Sequence, residues 1–337
     1  MPPNPISSTP LPFDQTTAAQ KASRLLDLHH ASQPLVLINA WDAASAAMVE
    51  HCGLPAVATS SAALANALGF PDGQYLPWEQ MLEAVARICR AVKVPVTADI
   101  ESGFAADVTA LETSITQIIH AGAVGVNLED VMPASLQDDN LKKDDNLENA
   151  DAEKANPSVR HGSPLFSLPE QIARIQAARR AAQAAGVHLV INARTDAYWQ
   201  AGVGPAEAMR GTLERGKAYL QAGADCVFIP GLRNPDHIKT VINHLSALDL
   251  RNNDLRNNDP GAVHRVSPVN ILAGPGVPSI PELARLGVKR VSYGSGPHRA
   301  AMGLLRRMAD EARTSGTYTA LTEGAVPYEE MNGLMGK

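Results

Sequence analysis

Aromatic residues make up only 4% of this 337-residue chain: five Phe, three Trp and six Tyr. A core with so few rings must be built from small and branched aliphatics. An apolar share of 45% beside 19% charged residues suits a full core in one large domain or two ordinary ones. Cysteine is scarce too. Cys52, Cys89 and Cys226 are odd in number, far apart and at no metal or redox spacing, so they read as buried small apolar residues in a reducing compartment. Basic excess is absent. A net charge of −6 argues against nucleic acid or an anionic membrane surface as the main partner. It does not exclude a small anion, because a bound metal or one Arg reverses the field locally. No apolar run approaches the roughly 18 residues that span a bilayer. The opening Met1-Pro2-Pro3-Asn4-Pro5 has neither a basic n-region nor an apolar h-region. No secretory signal is therefore expected, and the cytoplasm is the expected compartment.

What is present is a loose repeat. A helix-like stretch ends at Gly and a strand begins a few residues later, at Gly53, Gly122, Gly186, Gly223 and Gly287. Gly just past a helix is the residue that can take positive φ, and the short connection that follows suits parallel strands. Eight strands are expected: Leu35–Ala40, Ala56–Ser60, Val94–Ile100, Gly125–Asp130, His188–Arg194, Cys226–Gly231, Val269–Gly274 and Arg290–Ser295. Helical patterns fall between them, among them 79–92, 108–121, 169–185, 205–222 and 297–312. Eight such units in one row indicate an α/β chain closed as a (β/α)8 TIM barrel. A doubly wound open sheet is the alternative, but no Gly-x-Gly-x-x-Gly follows the first strand. The expected layout is a loose tail over 1–18, a barrel over 19–315 and a C-terminal extension over 316–337. Two segments interrupt the barrel. One, 131–168, contains the near-duplication 138–149 and leaves the C-terminal end of a strand, as a lid or a solvated insertion would. The other, 250–266, is expected on the opposite face and has no assigned role.

Chemistry in such barrels gathers where strands run into the following loops. The third strand ends in Asp99 and Glu101, which strand alternation places on one face. The fourth ends in Glu129 and Asp130. Carboxylates so close repel unless a cation lies between them, and a hard divalent ion with oxygen ligands answers that need. Asp99, Glu101 and Glu129 are the candidate metal-site acids; the plainer alternative is that they cap helices. On the fifth strand Asn192, Arg194 and Asp196 share a face. Arg194 could grip a substrate carboxylate bidentately, or simply pair with a neighbouring acid. Ser60 and Ser61 could bind an oxyanion or cap a turn. Gly-rich ends at 274–276 and 294–296 fit a phosphate site or mere turn geometry. His188, His237 and His298 read as structural.

Taken in order, Asn39-Ala40-Trp41-Asp42-Ala43-Ala44-Ser45-Ala46, Thr59-Ser60-Ser61, Leu68-Gly69-Phe70-Pro71-Asp72-Gly73, Thr97-Ala98-Asp99-Ile100-Glu101-Ser102-Gly103, Gly125-Val126-Asn127-Leu128-Glu129-Asp130 and Asn192-Ala193-Arg194-Thr195-Asp196 resemble the isocitrate lyase / phosphoenolpyruvate mutase superfamily. The resemblance runs from about Leu35 to Met308. It implies a Mg²⁺-dependent barrel, with Mn²⁺ a possible substitute, and a homotetrameric dimer of dimers that exchanges its last helix. It implies chemistry at C–C or P–C bonds next to a 2-oxo or enolate carboxylate. By the same resemblance Asp99 is the direct metal ligand, and Asp72, Glu101 and Glu129 hold the metal's waters. Ser60, Ser61 and Trp41 belong to the substrate site. Arg194, Glu129 and Asp72 form the catalytic set, with Arg194 polarising a small carboxylate substrate. After Glu129-Asp130, however, Val131-Met132-Pro133-Ala134-Ser135-Leu136 lacks the Lys-[Lys/Arg]-Cys-Gly-His loop of the thiol-using lyases. It also lacks the Pro-Lys and Asn of the mutase and P–C hydrolase, and Pro230 stands near the latter's histidine. Lys142, Lys143 and His161 are the remaining side chains an insertion could offer. A 2-oxo or 2-hydroxy acid C–C lyase is the first reading, a P–C enzyme the second, and a non-catalytic metal- and dicarboxylate-binding barrel the third.

Overall fold

The computed structural model describes residues 13–137, 164–248 and 268–336. Its nine strands are β1 (Leu35–Leu37), β2 (Asn39–Ala40), β3 (Val57–Thr59), β4 (Val96–Asp99), β5 (Gly125–Glu129), β6 (Val190–Arg194), β7 (Cys226–Phe228), β8 (Val269–Leu272) and β9 (Arg290–Ser292). All pair in parallel in the order β1-β9-β8-β7-β6-β5-β4-β3-β2. Only Ile38 separates β1 from β2, so both ends of the row belong to one interrupted strand. The sheet thus curls round as the expected barrel, with the first strand broken in two.

The helices are α1 (Gln15–His29), α2 (Ala43–His51), α3 (Ser61–Ala67), α4 (Trp78–Ala91), α5 (Val108–His120), α6 (Leu168–Ala184), α7 (Pro205–Gln221), α8 (Pro235–Ser246), α9 (Ile280–Leu286), α10 (Gly296–Thr314), α11 (Thr319–Thr322) and α12 (Tyr328–Met335). The five glycines of the repeat all take positive φ, as their place after a helix requires. None of the described helices is long and apolar enough to cross a membrane. Residues 15–18, expected in the loose tail, open α1, and Cys52, expected to be buried, is exposed. Asp14 accepts bonds from the Thr16 and Thr17 amides, and this cap starts α1 at Gln15.

Leu25 and His29 of α1 are fully buried. The helix packs this close because β5 opens on Gly125, where a Cβ would come within 2.8 Å of Leu25 Cδ2. The His29 Nδ1 lies 2.7 Å from Leu25 O, and the buried Arg290 donates from Nη1 to His29 Nε2 at 3.2 Å. Arg290 Nη2 and Asn192 Nδ2 both reach Asn127 Oδ1, so the barrel interior carries a polar layer.

The first insertion leaves the barrel through a fastened neck. Val131 bridges Leu165 in antiparallel fashion, and the Met132 amide donates to Pro164 O. Residues 138–163, with the near-duplication, Lys142, Lys143 and His161, lie outside the described residues, as does the second insertion, 250–266. Past α10, the chain returns so that α12 packs on α2, with Leu334 buried and Glu330 3.6 Å from His51.

Candidate active site

A cavity of about 210 Å³ opens where β3, β4, β5 and β6 pass into their loops. Its walls are Ser61, residues 71–74, Glu101, Glu129, residues 131–133, Arg194 and Asp196. Each wall follows from local chain chemistry. Thr59 at the end of β3 accepts the Asp99 amide on its hydroxyl, holding the tips of β3 and β4 together. Ser61 opens α3 and turns both its amide and its hydroxyl onto Asp99 Oδ2, at 3.0 and 2.8 Å.

Beyond Asp99 the strand stops. Glu101 has φ +49°, so strand alternation does not place it; a left-handed turn does. Gln74 (φ +62°) and Phe104 (φ +52°) share this conformation, which costs a non-glycine residue about 1–2 kcal/mol. These three are the non-glycine residues with positive φ among the described residues, and all lie at this corner. The Gln74 amide donates to Glu101 Oε1 at 3.0 Å and its side chain to Ser102. Thus the loop carrying Asp72 is clipped to the turn carrying Glu101. From α6, the buried Arg174 donates to the carbonyls of Ser102 and Ala105, which fixes the same turn from outside.

Arg194, at the tip of β6, is gripped on three sides. Its Nε and Nη2 meet the two oxygens of Asp196, both at 2.7 Å, and its Nη1 meets Glu129 Oε2 at 2.8 Å. Asp196 is itself positioned, because its amide donates to Asp130 Oδ1 at 3.0 Å. Asp130 is fully buried and accepts from Tyr219 Oη at 2.7 Å and Arg215 Nη1 at 3.1 Å. Burial opposes the Arg194 charge, but Asp196 and Glu129 outweigh it and hold the proton more firmly than usual. For Glu129, burial raises the pKa more than Arg194 lowers it. Glu101 is pushed up to about 8 by burial, then by Asp72 and Asp99.

Burial is the larger cause for both groups, and neighbouring acids add to it. The donors are all hard oxygens, a set that fits Mg²⁺ or Mn²⁺ and not a thiophilic metal. Among the described residues no three acid, His or Cys side chains converge closely enough to cage an ion unaided. Asp99, Glu101, Glu129 and Asp72 are the oxygen donors gathered at this corner.

Of the residues singled out from sequence, Ser61, Asp72, Glu101, Glu129 and Arg194 line the cavity, and Asp99 adjoins it through Ser61. Ser60 and Trp41 are not among the walls. Ser60 caps α3, accepting the Ala63 amide, and Trp41 packs edge-on against His298. Sequence reasoning did not single out Gln74, Arg174, Arg215 or Tyr219. The one textual hint for Gln74 was its place directly after the Asp72-Gly73 turn.

The profile of the phosphoenolpyruvate phosphomutase family matches residues 25–313. A phosphonomutase-type protein of Burkholderia cenocepacia J2315 superposes with a TM-score of 0.70 at 35% identity, covering 88% of this chain and 99% of that one. The 2,3-dimethylmalate lyase of Eubacterium barkeri is 26% identical over 94% of each chain. Phosphonopyruvate hydrolase, solved with oxalate and Mg²⁺, superposes with a TM-score of 0.68 at 25% identity, covering 94% of this chain and 95% of that one.

Proposed function

The chain belongs to the phosphoenolpyruvate phosphomutase family, and we propose that within it the protein is a Mg²⁺-dependent lyase. It would cleave a C–C bond next to a 2-oxo or 2-hydroxy carboxylate through an enolate. The observation that carries this reading is one guanidinium, Arg194, paired with Glu129 and Asp196 on the wall of a small cavity that Asp72 and Glu101 also line. The family comprises lyases and mutases of carboxylate substrates.

Bound Mg²⁺ would act as a Lewis acid at a carbonyl or enolate oxygen, and Asp99 is the residue that would hold it. The rest falls to the chain's own side chains. Arg194, with its fork already fixed by Asp196, grips the carboxylate and faces the oxygen on which charge develops. In cleaving a 2-hydroxy acid, a base takes the hydroxyl proton and a C=O forms as the C–C bond breaks. The electron pair leaves as the enolate of the second carboxylate, and a proton then returns to carbon. Asp72 and Glu129 are the carboxylates on the walls that can take and return that proton. Val131-Met132-Pro133 provides no thiol, amine or imidazole, so the proposed lyase works without the loop of the thiol-using lyases.

P–C chemistry is the second reading, favoured by the 35% identical phosphonomutase-type structure. A panel of oxaloacetate, 2-alkylmalates, methylisocitrate and phosphonopyruvate with Mg²⁺ separates the two, with the products identified by NMR as readout. Turnover of oxaloacetate or an alkylmalate supports the C–C reading. Turnover of phosphonopyruvate alone replaces it. Silence across the panel with tight oxalate binding favours a metal- and dicarboxylate-binding barrel without catalysis.

The proposed setting is the cytoplasm, and the proposed assembly is a dimer of dimers exchanging a C-terminal helix. Exposed Met302 and Leu305 on α10, with Tyr318, Leu321 and Tyr328 beyond it, support a partner on that side. Light scattering that reads a monomer would remove the assembly.

A further inference from the structure

The neck of the first insertion forms one whole side of the cavity, and that side is apolar: Val131, Met132 and Pro133, with Pro71 beside them. It is a fixed wall. The Met132 amide is bonded to Pro164 O at 2.9 Å, and the Met132 carbonyl accepts Gln137 Nε2 at 3.0 Å. Leu136 N closes the turn on Pro133 O at 2.9 Å.

Charge on the other sides is lopsided. Among the described wall residues, Asp72, Glu101, Glu129 and Asp196 are acids and Arg194 is the cation, its fork already shared between Asp196 and Glu129. One divalent ion and one guanidinium suffice for two substrate carboxylates. A third carboxylate would be desolvated against the apolar wall or set among acids, and either position is costly. The space is small as well. At about 210 Å³ it is sized for a short acid.

Building on the lyase reading above, we propose that Val131, Met132 and Pro133 make the site selective for a dicarboxylate bearing a small alkyl group on a carbon of the bond to be cut. They select against tricarboxylates. The alkyl group packs on Met132 and its neighbours while the two carboxylate ends take the metal side and Arg194.

The test is calorimetric binding, with Mg²⁺ present, of malate, 2-methylmalate, 2-ethylmalate and isocitrate to the wild type and to Met132→Lys. In the wild type, the first methyl group should tighten binding about tenfold, the usual worth of a methyl in an apolar pocket. Isocitrate should bind at least tenfold more weakly than malate. Met132→Lys should erase the alkyl gain and improve isocitrate. Met132→Gln serves the same purpose if the lysine variant does not fold. The proposal is overturned if isocitrate matches or exceeds 2-methylmalate, if both proteins rank the series alike, or if none of the four binds. Turnover of the same compounds is read separately. An alkyl gain in binding without turnover leaves the wall standing and removes the lyase reading. Turnover with no alkyl preference does the reverse.

Discussion

Arg194 shows why residue type matters at this site. Its planar fork meets both oxygens of Asp196 and still reaches Glu129, a geometry that a lysine ammonium cannot copy. Arg194→Lys is therefore expected to lower kcat/KM about a hundredfold, the scale of losing one oxyanion donor, with kcat falling and KM rising. Steady-state kinetics on the active member of the panel checks this, and an unchanged profile removes Arg194 from the chemistry. Gln74 is the second case. Gln74→Gly relieves about 1 kcal/mol of left-handed strain and loses a hydrogen bond of about the same worth. Melting temperature should stay near the wild type while the Mg²⁺ needed for half-maximal activity rises modestly, because the backbone bond to Glu101 survives in the glycine but the side-chain tie to Ser102, beside Glu101, is lost. Equal Mg²⁺ dependence would make Gln74 a turn residue only. Much of this corner was legible in sequence: acids at two successive strand ends and an Arg at the end of the next announce themselves by type and spacing. The clips were not. Pairing of Gln74 with Glu101, or of Asp130 with Tyr219, depends on a turn conformation and on residues 27 and 89 positions apart.

At the scale of elements, the strands read well because their apolar runs follow glycines that could only end helices. The sequence reading made most of them too long, since a strand lasts only while a neighbour is there to bond it. Val94–Ile100 shrank to Val96–Asp99, and that loss moved Glu101 from strand face to turn. The helix α1 was underread at its start, where Asp14 caps it. Its end has a consequence for stability. Burial, followed by the Arg290 charge, lowers the His29 pKa from 6.5 to about 3, and the ring stays neutral in the fold. A depressed histidine works against folding in acid. Above pH 6.5 neither state takes the proton and His29 adds no pH dependence. As pH falls from 6.5 towards 3, only the unfolded chain binds it, and stability drops. The linkage amounts to about 2 kcal/mol between pH 7.5 and pH 5. His29→Gln should remove that part of the acid slope, measured by urea unfolding at both pH values and compared as a difference from the wild type. Parallel slopes in the two proteins would show that His29 is not neutral and buried.

For the whole molecule, the barrel gathers acid from β4, β5 and the loop before α4 around one cavity, opposite a guanidinium from β6. On the proposed reading a bound cation relieves this charge, which would tie metal, ligand and stability together. Asp99→Ala should leave the barrel folded by circular dichroism while abolishing the rise in melting temperature that Mg²⁺ gives the wild type. A full Mg²⁺ response in that variant would place the ion elsewhere. Family membership was legible from six short motifs in register. The segment after Glu129-Asp130 was legible only as motif residues that are missing, and in the structure it forms an apolar wall. The most direct measurement is calorimetric titration of oxalate, a planar stand-in for an enolate carboxylate, into the wild-type protein with Mg²⁺ and then with chelator. The account predicts saturable binding with the ion and none without it. Equal binding in both would contradict it.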